Sequence, residues 1–469
     1  YYDTAAGALA RAGVALRVRE IRGRWVQTVK GAGASAAGLH VRDELEWQLA
    51  SPEPDLALLA GTPLEELFSS ATMSGRLAPV FRTEFERVIR PLAWPDGTRA
   101  ELALDHGSVR AGGRSDPISE MELELQSGDP TRLFELALAL SADLPLRLGH
   151  ASKAERGYLL ARIVKRAPQK QRRVELDPAM PLSAAIRRIV LACIAQMQAN
   201  EEGVVAGRDK EYLHQLRVGL RRARSCISLV RKEVPPERIA PIVEELRWLG
   251  RALNPARDWD VFMTETLPPM LQSFPEDPGL AALRARGARM RRASTAAARE
   301  MVRSRRYTNL LLSVGSVLAR EDLAALTAGA GELSGPVGAF AGRLIDRRDQ
   351  KLRKRATAVQ DATPEARHVA RIAAKRLRYA AEFFASLYPP KRVRRYVAAL
   401  EDIQDTLGEL NDLATASRLL ADLGVDATNA IDPRAAGIVR GWCAASARHA
   451  LARFAGDWKR FKSARSFWE

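Results

Sequence analysis

The sequence predicts a chain in two parts, a β-rich α+β domain of antiparallel strands followed by an all-α region folded as two pseudo-equivalent bundles. Three observations predict it. The apolar pattern alternates with period two up to about residue 165 and takes a helical period from Ser183 onward. Charge divides the same way: of a formal +17, residues 1–160 hold 18 Lys and Arg against 22 Asp and Glu, and the remainder 55 against 34. Finally, one basic stretch occurs twice, as LHQLRVGLRRARS (Leu213–Ser225) and as HVARIAAKRLRYAAEFF (His368–Phe384).

The first part is built from Val14–Glu20, Arg24–Lys30, Leu39–Leu49, Val80–Ile89, Arg99–Leu104 and Ile118–Leu125. Each carries at least partial alternation and is bounded by Gly, Pro, Asp or Ser, the pattern of a strand meander. Short helices are expected at Pro63–Ser69 and Pro130–Asp143. Alternation puts every second side chain on one face, so Arg17 and Arg19 share a side, as do Glu120, Glu122 and Glu124. Three carboxylates on one strand face repel one another unless they are solvated or neutralised by a cation. Oxygen ligands of this kind suit Mg²⁺ or Mn²⁺, and Arg17, Arg19, Lys30, Arg82, Lys153 and Arg156 suit the phosphates that accompany such a metal. A solvated outer strand face explains the same spacing.

Lys165–Pro181 (KRAPQKQRRVELDPAMP) interrupts both patterns and reads as a linker. Helices follow from Ser183, through Leu213–Leu229, at Ile239–Leu253, from Asp258, at Gly279–Leu318 and Pro336–Gln360, then at His368–Leu387, Val393–Leu407, Leu410–Leu423 and Pro433–Lys462. Asn254, Asp258 and Asp260 stand at expected helix boundaries, as caps and as acceptors for neighbouring Arg. Aligning His214 on His368 brings Arg217 onto Arg371, Arg221 onto Lys375, Arg222 onto Arg376 and Arg224 onto Arg378. His, Arg and a basic cluster at i, i+3, i+7 and i+8 form one helical stripe. A second element, Leu-Gly followed shortly by Leu-Asn, trails each copy in LGRALNPARDWD (Leu249–Asp260) and LGELNDLATA (Leu407–Ala416). Two elements recurring in order argue for an internal duplication.

A basic half implies a polyanionic partner: nucleic acid, an anionic membrane surface or inorganic polyphosphate. Nucleic acid is the weaker choice, because aromatic residues are not interleaved with the basic ones and no base-reading motif occurs. No run of eighteen apolar residues appears, which argues against a transmembrane segment. The scattered Cys193, Cys226 and Cys443 fit a reducing compartment, hence the cytoplasm. No Ser-His-Asp or Cys-His arrangement in the helical part suggests covalent catalysis.

The segments YYDTAAGALARAGVALRVRE, RWVQTVKG, GLHVRDELEW, LALDHGSVRAGG, ISEMELELQSGDP and LGHASKAERGYLL, in this order, resemble a CYTH domain of the triphosphate tunnel superfamily. The resemblance implies an antiparallel β tunnel over residues 1–164. Its Arg17, Arg19, Lys30, Arg82 and Lys153 would bind tri- or polyphosphate, and Glu120, Glu122 and Glu124 would bind Mg²⁺ or Mn²⁺. The family's Glu-x-Glu-x-Lys strand is not in the sequence and is expected before Tyr1, so hydrolysis in this domain is a weaker expectation than phosphate binding.

The motifs LHQLRVGLRRARS, LGRALNPARDWDVF, HVARIAAKRLRYAAEFF and LGELNDL resemble a CHAD domain, a conserved histidine α-helical module, over 182–469 behind a 165–181 linker. That resemblance implies two pseudosymmetric four-helix bundles that bind inorganic polyphosphate without a cofactor and associate with polyphosphate granules. His214, Arg217, Arg221, Arg222, His368, Arg371, Lys375, Arg376 and Arg378 would line the groove. The second copy carries Lys375 and Ala373 where the first has Arg221 and Gly219.

Overall fold

A computed structural model describes residues 1–31, 34–41, 44–69, 76–231, 234–320, 331–356, 359, 363–424 and 431–469. The chain divides into two compact units, one of Tyr1–Ala167 with Leu311–Arg320, the other of Pro168–Leu310 with Glu321–Glu469.

The first unit is antiparallel β-sheet with short helices. Its strands are β1 (Tyr2–Asp3), β2 (Ala15–Ile21), β3 (Arg24–Lys30), β4 (Ala34–Ala36), β5 (Leu39–Val41), β6 (Glu44–Leu49), β7 (Ala78–Pro79), β8 (Arg82–Ala93), β9 (Arg99–Ala111) and β10 (Arg114–Ser127). They form a five-stranded sheet in the order β6-β3-β2-β1-β7, a three-stranded sheet β10-β9-β8 and a ribbon β4-β5. The helices are α1 (Ala8–Ala12), α2 (Glu65–Ser69), α3 (Thr131–Asp143) and α4 (Lys153–Leu160). Buried Leu9, Val14, Leu16 and Val29 close the core under the larger sheet, and Phe81, Val109, Ile118 and Tyr158 pack α4 onto the smaller one.

The strand expected over Leu39–Leu49 is divided: Leu39–Val41 pairs with β4, and Glu44–Leu49 pairs with β3. Arg42 and Asp43 between them lie outside the described residues. The strand expected to stop at Leu104 runs on to Ala111. The strand continues through Gly107, whose glycine serves close approach: a Cβ there would sit 2.1 Å from the Glu84 carbonyl oxygen of β8.

The second unit is helical. It contains α5 (Leu182–Ala206), α6 (Lys210–Val230), α7 (Pro236–Val261), α8 (Pro268–Ser273), α9 (Pro278–Arg303), α10 (Arg305–Ala319), α11 (Val337–Ala356), α12 (Pro364–Phe383), α13 (Pro390–Gly424) and α14 (Pro433–Ser463); the last turns of α10 fall in the first unit. Helix α5 packs on α6, α6 on α7 and α7 on α9. The same sequence of neighbours recurs as α11 on α12, α12 on α13 and α13 on α14. Between the two sets, α5 touches α11, α6 touches α12, α7 touches α13 and α9 touches α14. By length and composition α5 could cross a membrane, but 61% of its most apolar window is buried inside the protein.

Three helix boundaries differ from the sequence pattern. Helix α7 continues through Asn254 and Pro255, so Asn254, Asp258 and Asp260 do not cap helix ends. A proline removes one backbone donor and crowds the carbonyl a turn earlier. Buried Leu249, Leu253, Ala256 and Trp259 nonetheless hold both halves of α7 against the core, and a single turn of π-helix, Phe262–Thr266, follows it. Helix α13 likewise runs unbroken through Gly408. The helix expected over Gly279–Leu318 breaks instead at Ser304, whose backbone is extended with ψ 148°. Of the helix expected over Pro336–Gln360, residues 357, 358 and 360 lie outside the described part.

Candidate functional site

In the first unit, strand register brings Arg87, Asp105 and Glu120 abreast on one face of the small sheet, with Glu122 opposite Ala103 and Glu124 opposite Glu101. Helix α4 lies on the same face. Its first turn is fixed by a capping box in which Ser152 and Glu155 satisfy each other's backbone donors, and this delivers Lys153 to the acidic cluster. Lys153 Nζ lies 2.7 Å from Asp105 and 2.9 Å from Glu122 and also pairs with Glu120. Arg87 donates two hydrogen bonds of 2.7 Å to the Asp105 carboxylate and one of 2.6 Å to Glu122. Arg156 pairs with Asp116 at 2.8 Å and with Glu120 at 3.3 Å.

Burial alone would raise the Asp105 and Glu122 carboxyls. Ion pairing outweighs it and holds both below the usual carboxylate range. Lys153 shows the converse balance: burial would lower it, and its hydrogen bonds to Asp105, Glu120 and Glu122 raise it.

Asp105, Glu120 and Glu122 each offer an oxygen within 4.8 Å of the others. Hard oxygen donors so spaced fit a divalent cation. Lys153 and Arg87 now hold those oxygens, so cation and ammonium draw on the same atoms. Glu124, expected as a third ligand, stays outside the cluster, and Asp105 takes that place.

The large sheet presents a second polar face. Arg17 of β2 pairs with Glu44 at 3.3 Å, Arg19 with Glu46 at 2.8 Å and Lys30 of β3 with Glu44 at 2.8 Å. Thr28 donates its hydroxyl to Glu46 at 2.8 Å. Burial lowers the Arg19 guanidinium, as do the charges of Arg17 and Arg87, so the two sheets' basic faces lie within electrostatic reach. The Nε groups of Arg17 and Arg19 are buried without a hydrogen-bond partner among the described residues. Arg82 does not join them. It stands five residues from Arg87, an odd step that turns it to the opposite strand face, and it is exposed beside Glu84 at 3.7 Å.

In the second unit the basic helices α6 and α12 meet. Arg221 Nε donates to the Tyr379 hydroxyl at 3.2 Å. Arg222 pairs with Glu382 and stacks over the Tyr379 and Phe383 rings at 5.6 and 5.1 Å. Arg378 also reaches Glu382, at 2.6 Å, and Glu401 at 2.9 Å. Arg222 and Arg378 are therefore neutralised; Arg222 binds α6 to α12, and Arg378 binds α12 to α13. Arg376 lies off this face and is exposed; its backbone carbonyl accepts from Arg348 of α11 at 3.1 Å.

What remains is a concentrated positive surface. Burial pushes Arg217 down to about 10, helped by Arg221, Arg257 and Arg371 and opposed by Asp258. Arg371 is lowered by burial and by Arg221, against Asp412 and Asp258. Lys375 falls to about 7 through burial and the charges of Arg371, Arg221 and Arg217, with Asp412 opposing. His214 falls to about 4 for the same kinds of reason, with Arg257 its strongest charged neighbour, so its ring is neutral at pH 7. Arg217 donates to the Leu253 carbonyl at 2.6 Å, next to the disturbance at Pro255. Asp258 pairs with Arg418 of α13 at 2.8 Å, and Asp260 with Arg291 of α9 at 2.6 Å, so both act as acceptors for Arg. His368 is exposed, with Nδ1 3.3 Å from Asn411 Oδ1, the asparagine of the second Leu-Asn element.

The sequence pattern missed Arg87, Asp105, Glu44 and Glu46 in the first unit and Arg257 in the second. Arg87, Glu44 and Glu46 lie inside strands that the alternation predicts, and Asp105 is reached by carrying the alternation of LALDHGSV one residue past Leu104.

A family model for the CYTH domain matches residues 1–158 and one for the CHAD domain matches residues 188–421. The chain is 37% identical over 162 residues to an inorganic triphosphatase of Haemophilus influenzae, a match covering 34% of this chain and 44% of that protein. It is 29% identical over 330 residues to an uncharacterized protein of Mycobacterium tuberculosis, covering 67% of this chain and 60% of the other. The chain thus spans about half the length of the curated relatives it matches. A crystal structure of the CHAD domain from the plant Ricinus communis superposes with a TM-score of 0.57 at 34% identity, covering 65% of this chain and 99% of that domain. With antiparallel sheets followed by helices that repeat their own neighbours, the chain belongs to the CYTH–CHAD family: a CYTH domain followed by a CHAD domain.

Proposed function

We propose that this protein handles condensed inorganic phosphate, and that its helical unit binds inorganic polyphosphate along the surface shared by α6 and α12. One observation carries the reading. Arg217 and Arg221 from the first copy and Arg371 and Lys375 from the second act on one another as like charges, with Asp258 and Asp412 as the opposing carboxylates. A row of anions relieves that repulsion, and guanidinium groups make paired charge-assisted contacts with phosphate oxygens. In this reading residues 182–469 form two pseudosymmetric four-helix bundles behind a linker at 165–181. The protein is cytoplasmic and associates with polyphosphate granules.

CYTH membership and an inorganic triphosphatase relative support tri- or polyphosphate hydrolysis at family level, which favours a second activity in residues 1–164. Here Arg17, Arg19 and Lys30 would hold phosphate oxygens, releasing Glu44 and Glu46 as they do so. Asp105, Glu120 and Glu122 would hold Mg²⁺ or Mn²⁺, which when bound polarises a phosphoryl oxygen. Lys153 and Arg87, displaced from those carboxylates, would turn to the phosphate chain.

Two measurements test the pair. Long-chain polyphosphate should displace single-stranded nucleic acid from the protein at equal phosphate concentration and physiological salt; failure to displace it ends the first reading. Mg²⁺-dependent phosphate release from tripolyphosphate should fall at least about a hundredfold in Glu122→Gln, by the scale of electrostatic catalytic terms. Unchanged release would remove the second.

A further inference from the structure

The ammonium of Lys153 stands where a cation held by the small sheet has to stand. It touches one oxygen of each candidate ligand: Asp105 Oδ2 at 2.7 Å, Glu122 Oε1 at 2.9 Å and, closer still, Glu120 Oε1. Three oxygens from three carboxylates around one nitrogen form a cage, and a divalent ion needs contacts of about 2.1 Å with the same atoms. Ammonium and metal therefore exclude each other from one point.

Leaving that point strips Lys153 of its counter-charges. Its side chain is 9% exposed and that of Asp105 is fully buried. The Phe85 ring, 5.1 Å from Nζ, offers a displaced ammonium no full negative charge. Taking the partner from a buried charge is strongly unfavourable, so Lys153 has to find another anion when it moves. The charge balance leads to the same requirement. Asp105, Glu120 and Glu122 set three negative charges against Lys153 and Arg87, with Arg156 shared by Asp116. A dication arriving alone, with Lys153 still tethered to α4, turns a deficit of one positive charge into an excess of one. A phosphate chain arriving with the metal removes that excess and gives Lys153 its new anion.

We propose that Lys153 holds the place of the metal, so that this domain loads metal and phosphate together, as the divalent-cation chelate of a tri- or polyphosphate, and not metal first. The proposal rests on reading this cluster as the metal site of a phosphate-handling domain. Each ligand then raises the affinity of the other by the same factor. One consequence runs opposite to activity: removing the ammonium should weaken hydrolysis yet tighten the binding of metal alone.

The test is Mn²⁺ binding without phosphate, followed through the electron paramagnetic resonance signal of the free ion, for the full chain and its Lys153→Gln variant. The variant should bind Mn²⁺ at least about tenfold more tightly than the parent, and adding Glu122→Gln should abolish the gain. A second measurement needs no variant at Lys153. Amide exchange in peptides from β9, β10 and α4 of the parent is compared with Mn²⁺, with a methylene-bridged triphosphate that resists hydrolysis, and with both. The mixture should slow exchange by more than the two ligands achieve separately. Mn²⁺ binding by the parent as tight as by Lys153→Gln, or slowing by the mixture no greater than by its components, overturns the proposal and leaves the metal site standing. Absence of Mn²⁺ binding by either protein, with no slowing by the mixture, overturns both. Coupled loading without phosphate release from tripolyphosphate supports the proposal and sinks the hydrolytic reading.

Discussion

The two units each carry a cluster of basic side chains, but only in the first is every central cation paired with a carboxylate. There, Lys153 serves Asp105, Glu120 and Glu122, Arg87 serves Asp105 and Glu122, and Arg17, Arg19 and Lys30 serve Glu44 and Glu46. In the second unit Arg217, Arg221, Arg371 and Lys375 crowd together, and the acid Asp258 already has Arg418. A matched site is stable on its own and must exchange ion pairs when ligand arrives. An unmatched site holds electrostatic repulsion that a polyanion releases. Under the proposed function, the first suits the charge rearrangement that a reaction requires, and the second suits retention.

The contrast breaks most sharply at Lys153. Lys153→Met takes from three carboxylates the cation they share, leaving Arg87 for Asp105 and Glu122 and Arg156 for Glu120, so the proposed triphosphate hydrolysis should fall about a hundredfold or more. The unit should also lose about 3 kcal/mol. Phosphate release and thermal melting measure the two, and a variant that melts like the parent would show that the carboxylates are not matched as described.

The paired change Arg371→Gln with Lys375→Gln probes the other side. Polyphosphate affinity should drop about tenfold to a hundredfold with a salt slope smaller by about two, while the melting temperature holds or rises because like charges have been removed. Loss of stability instead would mean that these side chains serve the fold.

A pH series sharpens the comparison further. A bound polyanion raises the Lys375 pKa above its free value of about 7. Affinity is then full below pH 7 and declines as pH rises from 7 toward the bound pKa, by at most about tenfold per unit. In the free protein the sign reverses: the unfolded chain binds the Lys375 proton more tightly, so stability grows from about pH 7 toward 10. The difference between parent and Lys375→Met should be about 1 to 2 kcal/mol after solvent screening. Titration calorimetry and denaturant melts across pH 6.5–9.5 measure these opposed trends. Smallest of all, Arg376→Gln should change polyphosphate affinity less than about twofold, because its side chain projects away from the shared surface; a drop matching that of Arg371→Gln would put Arg376 back in it.

Much of this was legible in the sequence where one local rule decided the outcome. Arg24–Lys30 is a strand with the boundaries its alternation predicts, and Pro433–Ser463 starts at its proline and ends one residue past the predicted Lys462. The repeat likewise pointed to His214, Arg217, Arg221, Arg371 and Lys375. It could not say that Arg222 is tied to Glu382, because that pairing depends on two helices more than a hundred residues apart meeting. Nor could it rank Asp105 above Glu124. Strand register selects the carboxylate opposite Glu120, and register is a property of paired strands. Punctuation misled at Asp105, Pro255 and Gly408, where strand pairing or a buried helix side kept an element running past a residue that usually ends it.

The meeting of α6 and α12 bears on how such a surface can arise. Neither copy of the repeat carries it alone, since each contributes two of its four central cations. A single-copy chain could assemble the surface only as a homodimer, losing it on dilution. Joining the copies in one polypeptide replaces that dependence with an effective concentration on the order of millimolar. It also ends the requirement that the two halves be identical, and so one half can hold Arg221 where the other holds an amine at Lys375.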